Sequence, residues 1–205
     1  MAKSQLIKDL ATNKISLEEA LQRVLVITSE LNNESLKKWI LGELNGYPVE
    51  TELPSYRKNV ASHLVYSGIN GSYEVTNVPL PLNFLSEDIR DIVTRTPLRT
   101  SIRGIEKMLE LDGKLRMDLM DLAGDIYKNT GIRCYKIFKE YSRISIEEVV
   151  SNVKNKLLLF LLDLEKEFGN LDNLDIDLDI ITDEQSQKIK KTVNRIYYDN
   201  TDEII

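Results

Sequence analysis

The sequence predicts an α+β protein, a mainly helical domain with a central long helix and a small antiparallel β-hairpin layer. Three patterns carry that expectation. Residues 145–168, SIEEVVSNVKNKLLLFLLDLEKEF, place Val149, Val150, Val153, Leu157, Phe160, Leu161 and Leu164 at helical intervals. The first 45 residues repeat that periodicity in shorter segments. Residues 60–78 instead set β-branched and aromatic side chains on either side of Gly68-Ile69-Asn70-Gly71, a hairpin pattern.

From the N-terminus, Leu6, Ile7 and Leu10 mark a short helix that stops at Asn13-Lys14. Ser16-x-x-Glu19 is a capping-box signal. It opens a helix through Leu21, Val24, Leu25, Thr28 and Leu31, which Asn32-Asn33 breaks. A third helix carries Leu36, Trp39, Ile40 and Leu44 and leaves through Asn45-Gly46 by a left-handed exit. Tyr47-Pro48 and Leu53-Pro54 flank an acidic connector to the hairpin at 60–78, after which Pro79 and Pro81 forbid a regular strand. Helical signals return at 86–94, 101–111 and 115–128, and Asn129-Thr130-Gly131 breaks the last. The aromatic and β-branched run from Cys134 to Tyr141 favours a strand.

The long helix follows, with Ser145 and Glu148 as its expected capping pair. Its six consecutive apolar residues at 157–162 cover nearly every side of a helix, so it is expected to be surrounded by the other elements. Six residues rise about 9 Å and cannot cross a hydrocarbon layer of about 30 Å. Residues 1–168 therefore read as one helical domain with a hairpin insert, and 169–205 as an acidic linker, a short strand and a C-terminal helix. The strand rests on the alternation of Asp175, Asp177 and Asp179 with Ile176, Leu178 and Ile180. Ile189, Val193, Ile196, Tyr197 and Tyr198 in the last segment suggest a homodimer contact.

Composition narrows the function classes. The chain has 205 residues, 42% hydrophobic and 29% charged, the balance of an ordinary soluble protein. A formal net charge of -6 disfavours a general nucleic-acid coat. No basic segment followed by an apolar run opens the chain, so neither a secretion signal nor a transmembrane segment is expected and the expected location is the cytoplasm. The single cysteine, Cys134, allows no internal disulfide, and the single histidine, His63, leaves histidine chemistry resting on one side chain in a strand.

The densest unusual chemistry is Trp39-x-x-Gly42-Glu43-Leu44-Asn45-Gly46-Tyr47-Pro48 followed by Pro54-Ser55-Tyr56-Arg57. It reads first as a rigid helix-to-hairpin corner in which Glu43 and Arg57 could pair, and second as a partner or ligand surface made by Glu43, Tyr47, Tyr56 and Arg57. Arg99, Arg103 and Lys107 recur every four residues and form a candidate phosphate-binding stripe, interrupted by Glu106, Glu110 and Asp112. Asp175, Asp177 and Asp179 lack the turn glycine and further oxygens of a calcium loop, and Gly68-x-x-Gly71 is too short for a phosphate loop. No catalytic set, metal site or cofactor site emerges from the residues.

The segments WILGELNGY at 39–47, LPSYR at 53–57 and VKNKLLLFLLDLE at 153–165 resemble, in order and separation, the AbiTii domain family of bacterial abortive-infection proteins, over residues 3–168. In that family arginines often surround the asparagine of the last motif; here Lys154 and Lys156 flank Asn155, keeping charge without the arginine fork. Trp39, Gly46, Pro54, Asn155 and Glu165 are the framework positions the resemblance implies. It also implies a role in defence against phage. The expected form is a non-enzymatic sensor, adaptor or growth-arresting effector with a protein partner or homo-oligomer. The alternatives are a metal-dependent nuclease or other toxic hydrolase, and a nucleotide or nucleic-acid binding module.

Overall fold

The computed structural model describes residues 3–29, 31, 33–94, 97–173, 187–188 and 191–192. The expected strand at 175–180, with its three aspartates, lies outside the described residues, as do Ile189, Val193, Ile196, Tyr197 and Tyr198. The fold is α+β, with several helices, a long C-terminal one among them, and a small antiparallel sheet. Two compact units divide the chain: Met1–Tyr56, Arg99–Lys107 and Val149–Ile205 form the first, and Arg57–Leu98 with Met108–Glu148 form the second.

The first unit is built from helices whose ends are written in the sequence. Helix α1 (Gln5–Ala11) stops before Asn13, whose φ is 56°. Helix α2 (Leu17–Ile27) starts at Ser16, whose hydroxyl accepts from the Glu19 amide at 3.0 Å, as the capping signal predicts. Helix α3 (Glu34–Asn45) starts in the same way at Asn33, whose side-chain oxygen accepts from Leu36 N at 3.0 Å. One face of α2 buries Leu17, Ala20, Leu21, Val24 and Ile27, each large aliphatic side chain contributing about 1.5–3 kcal/mol on transfer from water. That face meets Leu36, Trp39 and Ile40 of α3 and Val153, Leu157, Phe160, Leu161 and Leu164 in one core.

The long helix, α8 in chain order, spans Arg143–Phe168. It begins before the expected cap: Ser142, not Ser145, accepts at the helix start, from Ser145 N at 3.3 Å. Complete enclosure also fails. Val153, Leu157, Phe160, Leu161 and Leu164 lie on one buried stripe, whereas Leu159 is 55% exposed and Leu158 and Leu162 are half-buried. Six apolar residues in a row necessarily point some side chains away from a one-sided core, and an isolated exposed leucine is an ordinary surface feature.

The second unit carries the sheet. Strands β1 (Ser62–Asn70), β2 (Tyr73–Pro79), β3 (Arg116–Asp118) and β4 (Arg133–Tyr141) run in the order β2-β1-β4-β3, every neighbouring pair antiparallel. The expected hairpin is β1–β2, and the expected strand around Cys134–Tyr141 is β4. The register of β1 shifts at Gly68 against both neighbours. A side chain there would place its Cβ 2.1 Å from the Arg133 carbonyl oxygen, so the glycine is what lets β4 approach. Leu64, Tyr66 and Ile137 cover one core with Leu80, Leu85, Val93 and Ile126. The remaining helices are α4 (Ser55–Lys58), α5 (Glu87–Thr94), α6 (Ile102–Glu110) and α7 (Ala123–Thr130), with a 3-10 turn at Leu82–Phe84.

The expected single helix at 115–128 is instead β3, a 3-10 turn at Met120–Leu122 and α7. Tertiary pairing overrides the helical periodicity. Arg116 to Asp118 pair with Glu140 to Phe138, Leu119 N donates to Ile137 O at 2.9 Å, and the Asp118 carboxylate accepts from Met120 N at 2.8 Å.

Candidate functional site

Helical spacing places Trp39 and Glu43 one turn apart on α3, with Tyr47 four residues further along the chain. The α3 helix ends at Gly46, whose φ of 88° and close approach to Arg99 exclude a side chain: a Cβ there would lie 2.8 Å from the Arg99 carbonyl oxygen. The chain then turns so that the Tyr47 ring packs back over Gly42, where a Cβ would lie 2.3 Å from a ring carbon.

That turn assembles a polar cluster inside the helical unit. The Tyr47 hydroxyl donates to Glu43 Oε1 at 2.8 Å, and the Tyr56 hydroxyl donates to the same oxygen at 2.7 Å. Trp39 Nε1 donates to the Tyr56 hydroxyl oxygen at 2.8 Å. Lys156 of α8 brings its ammonium 5.5 Å from the centre of the Tyr56 ring. Trp39 and Glu43 are fully buried and Tyr47 nearly so, while Tyr56 and Lys156 are half-buried. A buried carboxylate is costly unless hydrogen bonds satisfy it, and here two phenols do so.

Residues from all three motif segments therefore meet. Pro54 is buried beside this turn in the chain, whereas Asn155 is exposed on α8 between Lys154, which donates to the Asn13 side chain at 2.5 Å, and Lys156. Arg57 belongs to the other unit. It is fully buried there, with Nη1 donating to Leu98 O at 2.9 Å and its own carbonyl accepting from Leu98 N at 2.8 Å. Of the four residues considered as a contact surface, Glu43, Tyr47 and Arg57 are thus buried, leaving Tyr56 with partial exposure.

Above the cluster a cleft of about 630 Å³ is lined by Lys38, Leu41, Gly42, Gly46, Tyr47 and Glu50, among others. Arg99 fixes the far side of the loop, donating to the carbonyl oxygens of Pro48 and of Thr51, the latter at 3.0 Å. Its own carbonyl receives Tyr47 N at 2.8 Å. Arg99 lies just ahead of α6, and Arg103 and Lys107 lie on it. Arg103 faces Glu18 at 3.5 Å, and Lys107 is exposed. Among the described residues no group of three His, Cys, Asp or Glu side chains is placed to hold a metal ion, and no helix is long and apolar enough to cross a membrane.

Glu165, one of the expected framework positions, makes its contacts with the far end of the chain. It closes the N-terminal end of α1: Oε1 accepts from both the amide and hydroxyl of Ser4 at 2.5 Å, and Oε2 from Lys3 Nζ at 2.7 Å. Leu171 N donates to the Ser4 hydroxyl at 3.0 Å, completing the clamp. Hydrogen bonds from Lys3 and then Ser4, against the opposing effect of burial, lower the carboxyl pKa from 4.5 to about 2. A depressed folded-state pKa stabilises the fold above the unfolded value, and that contribution disappears as pH falls from about 4.5 to about 2. Glu165→Gln is expected to lower stability by about 1–3 kcal/mol near neutral pH. Urea midpoints of the two proteins should converge as the solution is acidified through that window; a pH-independent gap would reject the clamp.

Sequence spacing gives no warning of this contact, because 161 positions separate Ser4 from Glu165. The same is true of a second charged centre, where Glu140 of β4 meets Lys114 at 2.8 Å and Arg116 at 3.0 Å. A family model described as AbiTii matches residues 4–193. No curated protein and no solved structure matches the chain.

Proposed function

Because the chain belongs to the AbiTii family, whose name points to abortive-infection defence, we propose that it acts there through protein contacts, as a sensor, adaptor or growth-arresting effector. The observation that carries this reading is the arrangement of the motif residues. Trp39, Glu43, Tyr47 and Tyr56 satisfy one another inside the fold and set the shape of a loop-walled cleft. Side chains arranged in this way fix a surface, and a cleft of defined shape with Lys38 and Glu50 in its lining suits recognition of another protein.

Reconstitution with candidate phage and host proteins tests the proposal. The double variant Lys38→Glu, Glu50→Lys should abolish partner capture by the full-length protein while its urea midpoint stays within about 0.5 kcal/mol of the parent, as for ordinary surface substitutions. Robust cleavage of DNA or RNA by the purified protein alone, lost on substitution of one of its acids, would overturn the non-enzymatic reading in favour of a nuclease.

A further inference from the structure

The second unit contains a cationic cleft that none of the motif residues explains. Across the sheet, Glu140 of β4 pairs with His63 of β1 on one side and Arg116 of β3 on the other. Its carboxylate is only 10% exposed and lies among basic side chains: Lys114 Nζ lies 2.8 Å from Oε1 and Arg116 Nη2 3.0 Å from Oε2, with the His63 imidazole Nε2 3.9 Å from Oε1. Burial acts to raise the pKa of this carboxyl, but hydrogen bonds and charge from Lys114 and Arg116 outweigh it and bring it below the ordinary value.

One ionised carboxylate cannot neutralise this group. A cleft of about 400 Å³ is lined by His63, Gly113, Lys114, Glu140, Ser142 and Arg143. Arg143 donates to the carbonyl oxygens of Leu109 and of Leu111, the latter at 3.1 Å, and lies 3.7 Å from Glu147. Lys114, Arg116 and Arg143 bring three positive charges against the two of Glu140 and Glu147. The lysine ammonium has three donors and uses one on Glu140. Ser142, which lines the cleft, accepts from Ser145 N through its hydroxyl oxygen at 3.3 Å, and a hydroxyl that accepts keeps its own O–H to donate. No atom lies within 4 Å of the position a Gly113 Cβ would occupy, so that wall is open.

Surplus positive charge, several donors and one carboxylate that holds the cations in place form a receptor for a compact oxyanion. We propose that the cleft lined by His63, Lys114, Ser142 and Arg143 binds a phosphoryl group, either inorganic phosphate or the phosphate of a small phosphomonoester. This site is separate from the Arg99, Arg103 and Lys107 stripe, and it stands independently of the protein-contact reading.

The test is a titration of the isotope-labelled full-length protein with inorganic phosphate, and separately with a nucleoside 5′-monophosphate, each against sodium chloride of matched ionic strength. Amide shifts that saturate at residues 113–116 and 140–143 are expected with phosphate and not with chloride. Lys114→Met combined with His63→Ala should weaken that binding at least about tenfold, whereas Lys114→Arg should retain it and Arg103→Met with Lys107→Met should leave it unchanged. Comparison of Lys114→Met,His63→Ala with the charge-preserving variant separates loss of binding from loss of fold, since urea midpoints are read for both. Tighter saturation by the nucleotide at the same residues assigns a nucleotide as the source, and equal saturation assigns the free anion. Absence of saturation, shifts reproduced by chloride, or binding indifferent to Lys114 and His63 would overturn the proposal.

Discussion

Trp39→Ala is expected to lower the stability of the protein by about 3–5 kcal/mol, the range for truncating a fully buried large aromatic side chain. Trp39 is 0% exposed, packs in the core that joins α2, α3 and α8, and donates through Nε1 to Tyr56. Since domains of this kind are stable by about 5–15 kcal/mol in total, the loss should shift the urea midpoint far to low denaturant. Trp39→Phe separates the two contributions. It retains most of the packing but removes the indole donor, and should lose about 1 kcal/mol for the hydrogen bond, with a smaller further loss for volume. A midpoint for Trp39→Ala within error of the parent would show that the core does not depend on this anchor.

The second large effect belongs to Glu43. Glu43→Leu leaves the Tyr47 and Tyr56 hydroxyls without the oxygen that accepts from both, and the predicted loss is about 2–4 kcal/mol. The sign matters as much as the size. A carboxylate kept for chemistry is commonly held at the expense of stability, so its removal stabilises the fold or leaves it unchanged. A carboxylate kept to brace a corner destabilises on removal. Equilibrium unfolding of Glu43→Leu beside Glu43→Gln distinguishes these cases. An unchanged or raised midpoint would remove the framework argument for the motif and favour a chemical role for Glu43. Measuring phage defence by the same variants then shows whether loss of function follows loss of fold.

The sequence was informative at several places where the deciding interactions are local, although the start of α8 falls at Ser142 and not at Ser145. Ser16 and Asn33 start their helices through contacts three residues away, and Gly46 ends α3 through its own backbone angle. The hairpin was legible because Gly71 and its neighbours turn the chain between two β-rich runs. Periodicity failed at 115–128, where the apolar spacing of a helix is real but Arg116–Asp118 finds a partner in β4. It also overestimated the enclosure of α8, since composition counts leucines without saying which side of the helix meets a neighbour. Spacing alone also did not show what Arg99 does: it lies just before α6 and holds the loop at Pro48 and Thr51.

Residue order alone determined the α+β class, most helix ends, the hairpin and the three motif segments, because capping, turning and amphipathic patterning act over a few residues. Only the tertiary structure decided that Glu43 is an internal acceptor for Tyr47 and Tyr56, that Glu165 clamps Ser4, and that Glu140 gathers His63, Lys114 and Arg116 around a cleft. Charge and hydrogen bonding act through distance in space, and the distance between residues far apart along the chain is set by how the helices and strands pack.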